Sequence, residues 1–176
     1  MKVFFMRHGQ TNYNILELCN DDPTKDVHLT DLGKQQAKIV RNKIKNINLD
    51  LIIISELPRT KETASIITKD HQVELKIDYR INDRKTGFDN KPVSNFLKAL
   101  EPDIFNLKLN NGESFKEEKQ RVYSFLDELK SLNYENILVV THSEIMRIIN
   151  GYYKNLSNQE QWNTIIDNCQ ILEMDI

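Results

Sequence analysis

Three short apolar runs with no polar interruption constrain the fold of this chain more than any other feature: Val3-Phe4-Phe5-Met6, Leu51-Ile52-Ile53-Ile54 and Ile137-Leu138-Val139-Val140. A strand that reads this way is covered on both faces, as in a mainly parallel sheet flanked by helices. Each run stops abruptly. The first delivers Arg7-His8-Gly9, the second Ser55-Glu56-Leu57-Pro58-Arg59-Thr60, and the third Thr141-His142-Ser143. Ligands of open α/β sheets sit in the crevice beyond the carboxyl ends of the strands. Arg7, His8, Arg59 and His142 are therefore expected to face one crevice, in an α/β fold built as a three-layer α/β/α sandwich around a mainly parallel sheet.

The segments between the runs supply the helices such a sheet needs. Thr30 suits an N-cap, and Leu32, Ala37, Val40, Ile44 and Ile47 are spaced to form one apolar face. Pro58 fits the first turn of a helix, where a missing N–H is no loss. Ser114-x-x-Glu117 is a capping-box pattern, followed by Phe115, Val122, Phe125, Leu126 and Leu129 on one face. After Ser143, the residues Ile145, Met146, Ile148 and Ile149 form the buried side of another helix, whose first N–H groups would favour an anion. Val73, Leu75 and Ile77 alternate with polar residues, as in an edge strand, and Cys169 to Ile176 reads as a final edge strand. Leu16 to Asp26 reads as a helical turn and a solvated loop, and Tyr79 to Lys98, with Gly87 and Pro92, as the least regular stretch.

Composition narrows the classes of function. At 176 residues with no Gly/Ser-rich or single-charge linker, the expectation is one domain, residues 1–176. A net charge of −2 argues against a general nucleic-acid binder, so any anion must be caught locally. Arg7 and His8 interrupt the N-terminal apolar run before a signal sequence could form, and no stretch approaches the ~18 apolar residues that span a bilayer. Cys19 and Cys169 are isolated, with neither disulfide nor metal-ligand spacing, so the expected setting is the reducing cytoplasm, with no metal and no cofactor. Nothing in the sequence sets an oligomeric state.

The residues at the strand ends also carry a family resemblance. Arg7-His8-Gly9-Gln10-Thr11-x-x-Asn14 resembles the R-H-G-x-T-x-x-N signature of the histidine phosphatase superfamily, which includes the cofactor-dependent phosphoglycerate mutases. Leu29-Thr30-x-x-Gly33-x-x-Gln36-Ala37 and Ser55-x-Leu57-x-Arg59-Thr60-x-x-Thr63-Ala64 are similar to its L-T-x-x-G-x-x-Q-A and S-x-L-x-R-T-x-x-T-A segments, and Gly112-Glu113-Ser114 recurs in it as well. Thr141-His142-Ser143-Glu144 aligns with S/T-H-G-G, with both glycines replaced; Glu144 is expected to point away along its helix.

The resemblance implies a phosphoglycerate mutase-like fold and a metal-independent phosphatase acting on a small phosphorylated metabolite. By resemblance, His8 attacks phosphorus in line and becomes a phosphohistidine. Arg7 and Arg59 clamp the nonbridging oxygens, Asn14 and the Ser143 backbone add neutral donors, and His142 is protonated while phosphate is bound. The family's L-x-E-x-x-x-G proton-donor segment corresponds to Ile81-x-Asp83-x-x-x-Gly87, with aspartate in place of glutamate. Asp83 is the candidate acid, and Glu17 and Glu113 are the fallbacks. Glu113 is otherwise expected either to support packing or to line the pocket. The alternatives are a mutase-type phosphotransferase, a phospholigand-binding relative without catalysis, and a phosphatase of phosphohistidine in proteins.

Overall fold

The computed structural model describes residues 1–69 and 71–176. The sheet runs in the order β3-β2-β4-β1-β5, with strands β1 (Lys2–Arg7), β2 (Leu51–Ile54), β3 (Glu74–Ile77), β4 (Asn136–Thr141) and β5 (Ile171–Asp175). The first four are parallel and β5 runs antiparallel to β1 at one edge. The other edge is β3, whose four residues are all exposed. The apolar runs become the three central strands because only there are both faces covered. Phe4, Met6, Ile52, Ile54, Leu138 and Val140 pack on one side against α2 (Asp31–Ile44) and α3 (Pro58–Ile67). Val3, Phe5, Leu51, Ile53, Ile137 and Val139 pack on the other against α5 (Phe115–Leu129) and α6 (Ser143–Lys154). Fully burying one such side chain contributes about 1.5–3 kcal/mol, so a one-residue slip that rotated the strands would misplace both sets.

The register positions the crevice. Arg7 lies beside Thr141, and Ile54 beside Val140, so His8, Ser55 and His142 leave the three strands at nearly one level. Thr30 caps α2 by accepting from Gly33 N–H at 3.0 Å, and Ser114 with Glu117 forms the capping box of α5. Leu32 is a correction. It is 49 % exposed, because the buried stripe of α2 runs through Gly33, Ala37, Val40 and Ile44. Within the stretch expected to be least regular, Val93–Leu100 forms helix α4, with Phe96 and Leu100 buried. Two short helices, α1 (Asn12–Leu16) and α7 (Asn158–Asn163), complete the set among the described residues, none of which forms a helix long and apolar enough to cross a membrane.

Gly9 and Gly33 explain how the loop after β1 is held. A Cβ on Gly33 would strike the backbone carbonyl oxygen of Gln10, and one on Gly9 would come within 2.7 Å of the Gly33 carbonyl oxygen. The loop and the first turn of α2 thus touch backbone to backbone. Gly33→Ala adds a favourable helix residue worth about 1 kcal/mol, but the overlap forces the loop to move at a cost of about 1–3 kcal/mol or more. The expected result is a lower melting temperature together with lower activity. A thermal scan that found the variant more stable would refute the close-packing account.

Candidate active site

Each side chain at the crevice is held by neighbours the sequence motifs supply. Gly9 N–H donates to Thr63 Oγ1 of α3 at 3.1 Å, and Gln10 N–H to Gln36 Oε1 of α2 at 3.0 Å, so the motif residues Thr63 and Gln36 fix the loop that carries His8. His8 N–H bonds the carbonyl of Thr141 on the neighbouring strand at 3.0 Å. Its ring Nδ1 lies 2.7 Å from the Gly9 carbonyl oxygen. A carbonyl can only accept, so Nδ1 carries the proton and Nε2 keeps its lone pair. Nε2 makes no hydrogen bond among the described residues, and the ring lines a cavity of about 340 Å³.

Burial first, then the charges of Arg59, His142 and Arg7, holds the His8 imidazole well below its ordinary range. A neutral nucleophilic nitrogen follows at neutral pH. His142 is held down in the same way, by burial and then by Arg59, Arg121 and Arg7. Its Nδ1 accepts from Arg59 Nε at 3.2 Å, and its Nε2 donates to Ser55 Oγ at 2.9 Å. Ser55 Oγ in turn contacts Thr60 Oγ1 at 2.9 Å, which donates to the Leu57 carbonyl. Ser55 and Thr60 therefore lock the orientation of His142 from behind. Its ring centroid stands 5.3 Å from that of His8.

Arg59, at the second position of α3, is buried and bonded on every side. Its Nη1 donates to Asn20 Oδ1 at 2.7 Å and its Nη2 to the Asn20 carbonyl at 3.1 Å and to Asp83 Oδ2 at 2.9 Å. Asp83 Oδ2 also lies 3.6 Å from His142 Nδ1, which is no ion pair while that histidine is neutral. The Asp83 carboxylate, which lines the cavity, thus lies beside the Arg59 guanidinium and the His142 ring nitrogen. Arg7, at the end of β1, donates Nη1 to the Ile166 carbonyl at 2.7 Å and leaves Nε without a partner. Asn14 offers its amide Nδ2 unpaired, its Oδ1 being used in the Thr11 capping box of α1 and by Asn168. Ser143 lines the same cavity as the first residue of α6, a helix whose N-terminus no side chain caps. Arg7, His8, Asn14, Arg59, Asp83 and Ser143 all line this one cavity; His142, fully buried, does not line it and lies behind Arg59, whose Nε it binds.

The fallback acids stand elsewhere. Glu17 caps the end of α1 as an exposed residue, and Glu113 pairs with Arg121 at 2.7 Å and lines an outer basin of about 780 Å³. Glu113 does serve as support, since Arg121 donates to the Arg80 carbonyl in the loop that carries Asp83. Asp83 lines both the inner cavity and the basin.

A family profile described as Histidine phosphatase superfamily (branch 1) matches residues 3–176. The chain belongs to this superfamily. Among curated relatives, the adenosylcobalamin/alpha-ribazole phosphatase of Escherichia coli strain K12 is 27% identical across 95% of this chain and 86% of its own length. A protein of Erwinia tasmaniensis bearing the name phosphoglycerate mutase GpmB is also 27% identical, across 99% of this chain and 85% of its own. The crystal structure of the alpha-ribazole phosphatase from Shigella flexneri superposes with a TM-score of 0.90 at 26% identity, covering 100% of this chain and 91% of the other. The fold is phosphoglycerate mutase-like, and phosphatase activity in general is what the superfamily and its phosphatase-named members support.

Three residues of this superfamily member escaped the reading of its sequence. Asn20, in the stretch expected to be a solvated loop, is buried and holds Arg59 through side chain and backbone. A run of small polar residues after the His8 motif was its only signal. Glu144 was expected to point away; it lines the cavity and forms an ion pair with Arg84. Arg84, 2 % exposed, is the second: its guanidinium carbon lies 5.4 to 5.6 Å from the ring centroids of Phe96, Phe115 and Trp162, and its Nε lies 3.3 Å from buried Glu118. The third is Arg147 of α6, which also lines the cavity. Cys19 is in the cavity wall as well, but burial pushes its thiol up to about 11, so it is no rival to His8 as a nucleophile.

Proposed function

We propose that this protein is a metal-independent phosphatase that hydrolyses small phosphomonoesters through a phosphohistidine on His8. One observation carries the reading: the Nδ1–H of His8 is spent on the Gly9 carbonyl, so an unprotonated Nε2 lines a cavity that also holds Arg7 and Arg59. Phosphate monoesters are among the slowest of substrates to hydrolyse. Positioning and charge stabilisation supply most of the acceleration in phosphoryl transfer. The two guanidinium groups balance a phosphate dianion with planar, permanently charged forks, so the charge work needs no metal ion.

The steps follow from the residues. Entering phosphate takes the place of the Asp83 carboxylate at Arg59, and its charge favours uptake of a solvent proton at His142 Nδ1, which gives up its bond from Arg59 Nε and donates to a nonbridging oxygen. The His8 Nε2 lone pair forms the N–P bond while the ester P–O bond breaks. Asp83, displaced from Arg59 and carrying a proton taken up from solvent as the substrate binds, protonates the leaving alkoxide. Water then attacks phosphorus, Asp83 takes its proton, and the N–P bond breaks to release phosphate. Water is favoured over a second substrate hydroxyl because Asp83 also borders the open outer basin.

Incubation with a labelled phosphomonoester should trap acid-labile, base-stable phosphate on His8. Asp83→Asn should lower kcat/KM by about 100-fold or more for alkyl phosphates. Aryl phosphates, whose leaving groups need no proton, should lose less than about tenfold. Equal losses for both would remove Asp83 from the role of acid.

A further inference from the structure

The cavity holds more positive charge than one phosphate uses. Of the arginines that line it, Arg59 is answered by Asp83 and Asn20, Arg84 by Glu144 and Glu118, and Arg7 by the Ile166 carbonyl. The side chain of Arg147 alone makes no hydrogen bond or ion pair among the described residues, and its Nε is sealed from solvent with no acceptor. The acidic residue one turn before it on α6, Glu144, is already taken by Arg84. Arg147 also adds to the repulsion on Arg7, whose guanidinium is lowered from its ordinary value first by burial and then, against the pull of Asp83, by Arg147. Buried donors are almost always satisfied in folded proteins. An unanswered guanidinium in a cavity wall is a site prepared for an anion.

We infer that the substrate of this site carries a second anionic group besides the phosphoryl that is transferred, and that Arg147 binds it. This rests on the phosphatase reading above: Arg7 and Arg59 balance the phosphoryl dianion, which leaves Arg147 uncompensated. Arg147 follows Ser143 by four residues, one turn and about 6 Å along the helix axis. The second anion therefore belongs within a few bonds of the ester oxygen, as a carboxylate or another phosphate. Either makes charge-assisted, bidentate contacts with a guanidinium. Arg147 is thus a specificity residue, which separates doubly anionic phosphomonoesters from neutral ones.

The test uses three small compounds that differ at one end. Glycerol 3-phosphate ends in a neutral hydroxyl, 3-phosphoglycerate in a carboxylate, and glycerol 1,3-bisphosphate in a second phosphate. The wild-type protein should prefer at least one of the two anionic compounds over glycerol 3-phosphate by tenfold or more in kcat/KM, and which one is preferred identifies the second anion. In Arg147→Met and in Arg147→Gln that ratio should fall to within about twofold of unity, whatever happens to the absolute rates. Arg147→Lys should keep part of it. No preference in the wild type, or an unchanged ratio in both neutral variants, would overturn the inference. Calorimetric binding of the same compounds to His8→Ala, with and without Arg147→Met, measures the preference without turnover. Absence of hydrolysis with intact discrimination in binding would then count against the phosphatase reading and for Arg147.

Discussion

His8→Ala is expected to abolish turnover, with a fall in kcat of about four orders of magnitude or more for alkyl and aryl phosphates alike. No other group in the cavity can take over. Cys19 is a thiol at neutral pH, with its ionisation pushed up to about 11 by burial. His142 has Nε2 committed to Ser55 and Nδ1 to Arg59. The phosphate clamp survives the change, because Arg7 hangs from the Ile166 carbonyl and Arg59 from Asn20, neither through His8. Inorganic phosphate should therefore bind the variant with an affinity close to that of the wild type, while trapped phosphoprotein disappears. Normal hydrolysis by His8→Ala would end the proposed mechanism.

Arg84→Met is expected to be the most destabilising of the single changes considered, by about 3–5 kcal/mol, because it strands buried carboxyl groups. Arg84 and Glu118 are essentially sealed from solvent, with side-chain exposures of 1 % and 0 %, and lie 3.3 Å apart. Glu144 shares the same guanidinium. For a chain of this size the melting temperature should fall by roughly 10 °C.

The sign of the pH dependence follows from Glu118. Complete burial, then the charge of Glu144, pushes its carboxyl well above the ordinary range, against the pull of Arg84 and Arg121. A carboxyl raised in this way favours the fold at pH values below its unfolded pKa and loses that contribution as pH rises through the folded value. Without Arg84 the upward push is less opposed. The penalty of Arg84→Met should then be larger at about pH 8 than at about pH 5. A drop under about 2 °C at both would mean that the ion-pair cluster is dispensable. Activity should fall too, since Asp83 precedes Arg84 in the same loop.

The legible parts of the site are those where a single residue type has one strong local meaning. Thr30 and Ser114 cap helices because their hydroxyls reach an N–H three residues on, a relation written in the sequence. Leu32 misled because the stripe is marked at that level by Gly33, which has no side chain to reveal it; Leu32 stands about 100° round the helix from the line through Gly33, Ala37, Val40 and Ile44. Glu144 misled for a different reason. Its direction is set by Arg84, which is 60 residues away in the chain, so nothing beside Glu144 reveals it.

By itself the sequence determined the central strands, their covered faces and the set Arg7, His8, Arg59 and His142 at the strand ends. Hydrophobic periodicity and strand termination are local properties, and a parallel register converts them into one crevice. Only the tertiary structure decided which tautomer His8 adopts, that Asp83 and not Glu17 or Glu113 borders the cavity, and that Arg147 is left without a counter-charge. Those outcomes depend on which polar groups satisfy one another across the chain. Hydrogen bonds and ion pairs act over a few ångströms of space, and the chain brings such groups together only once it has folded.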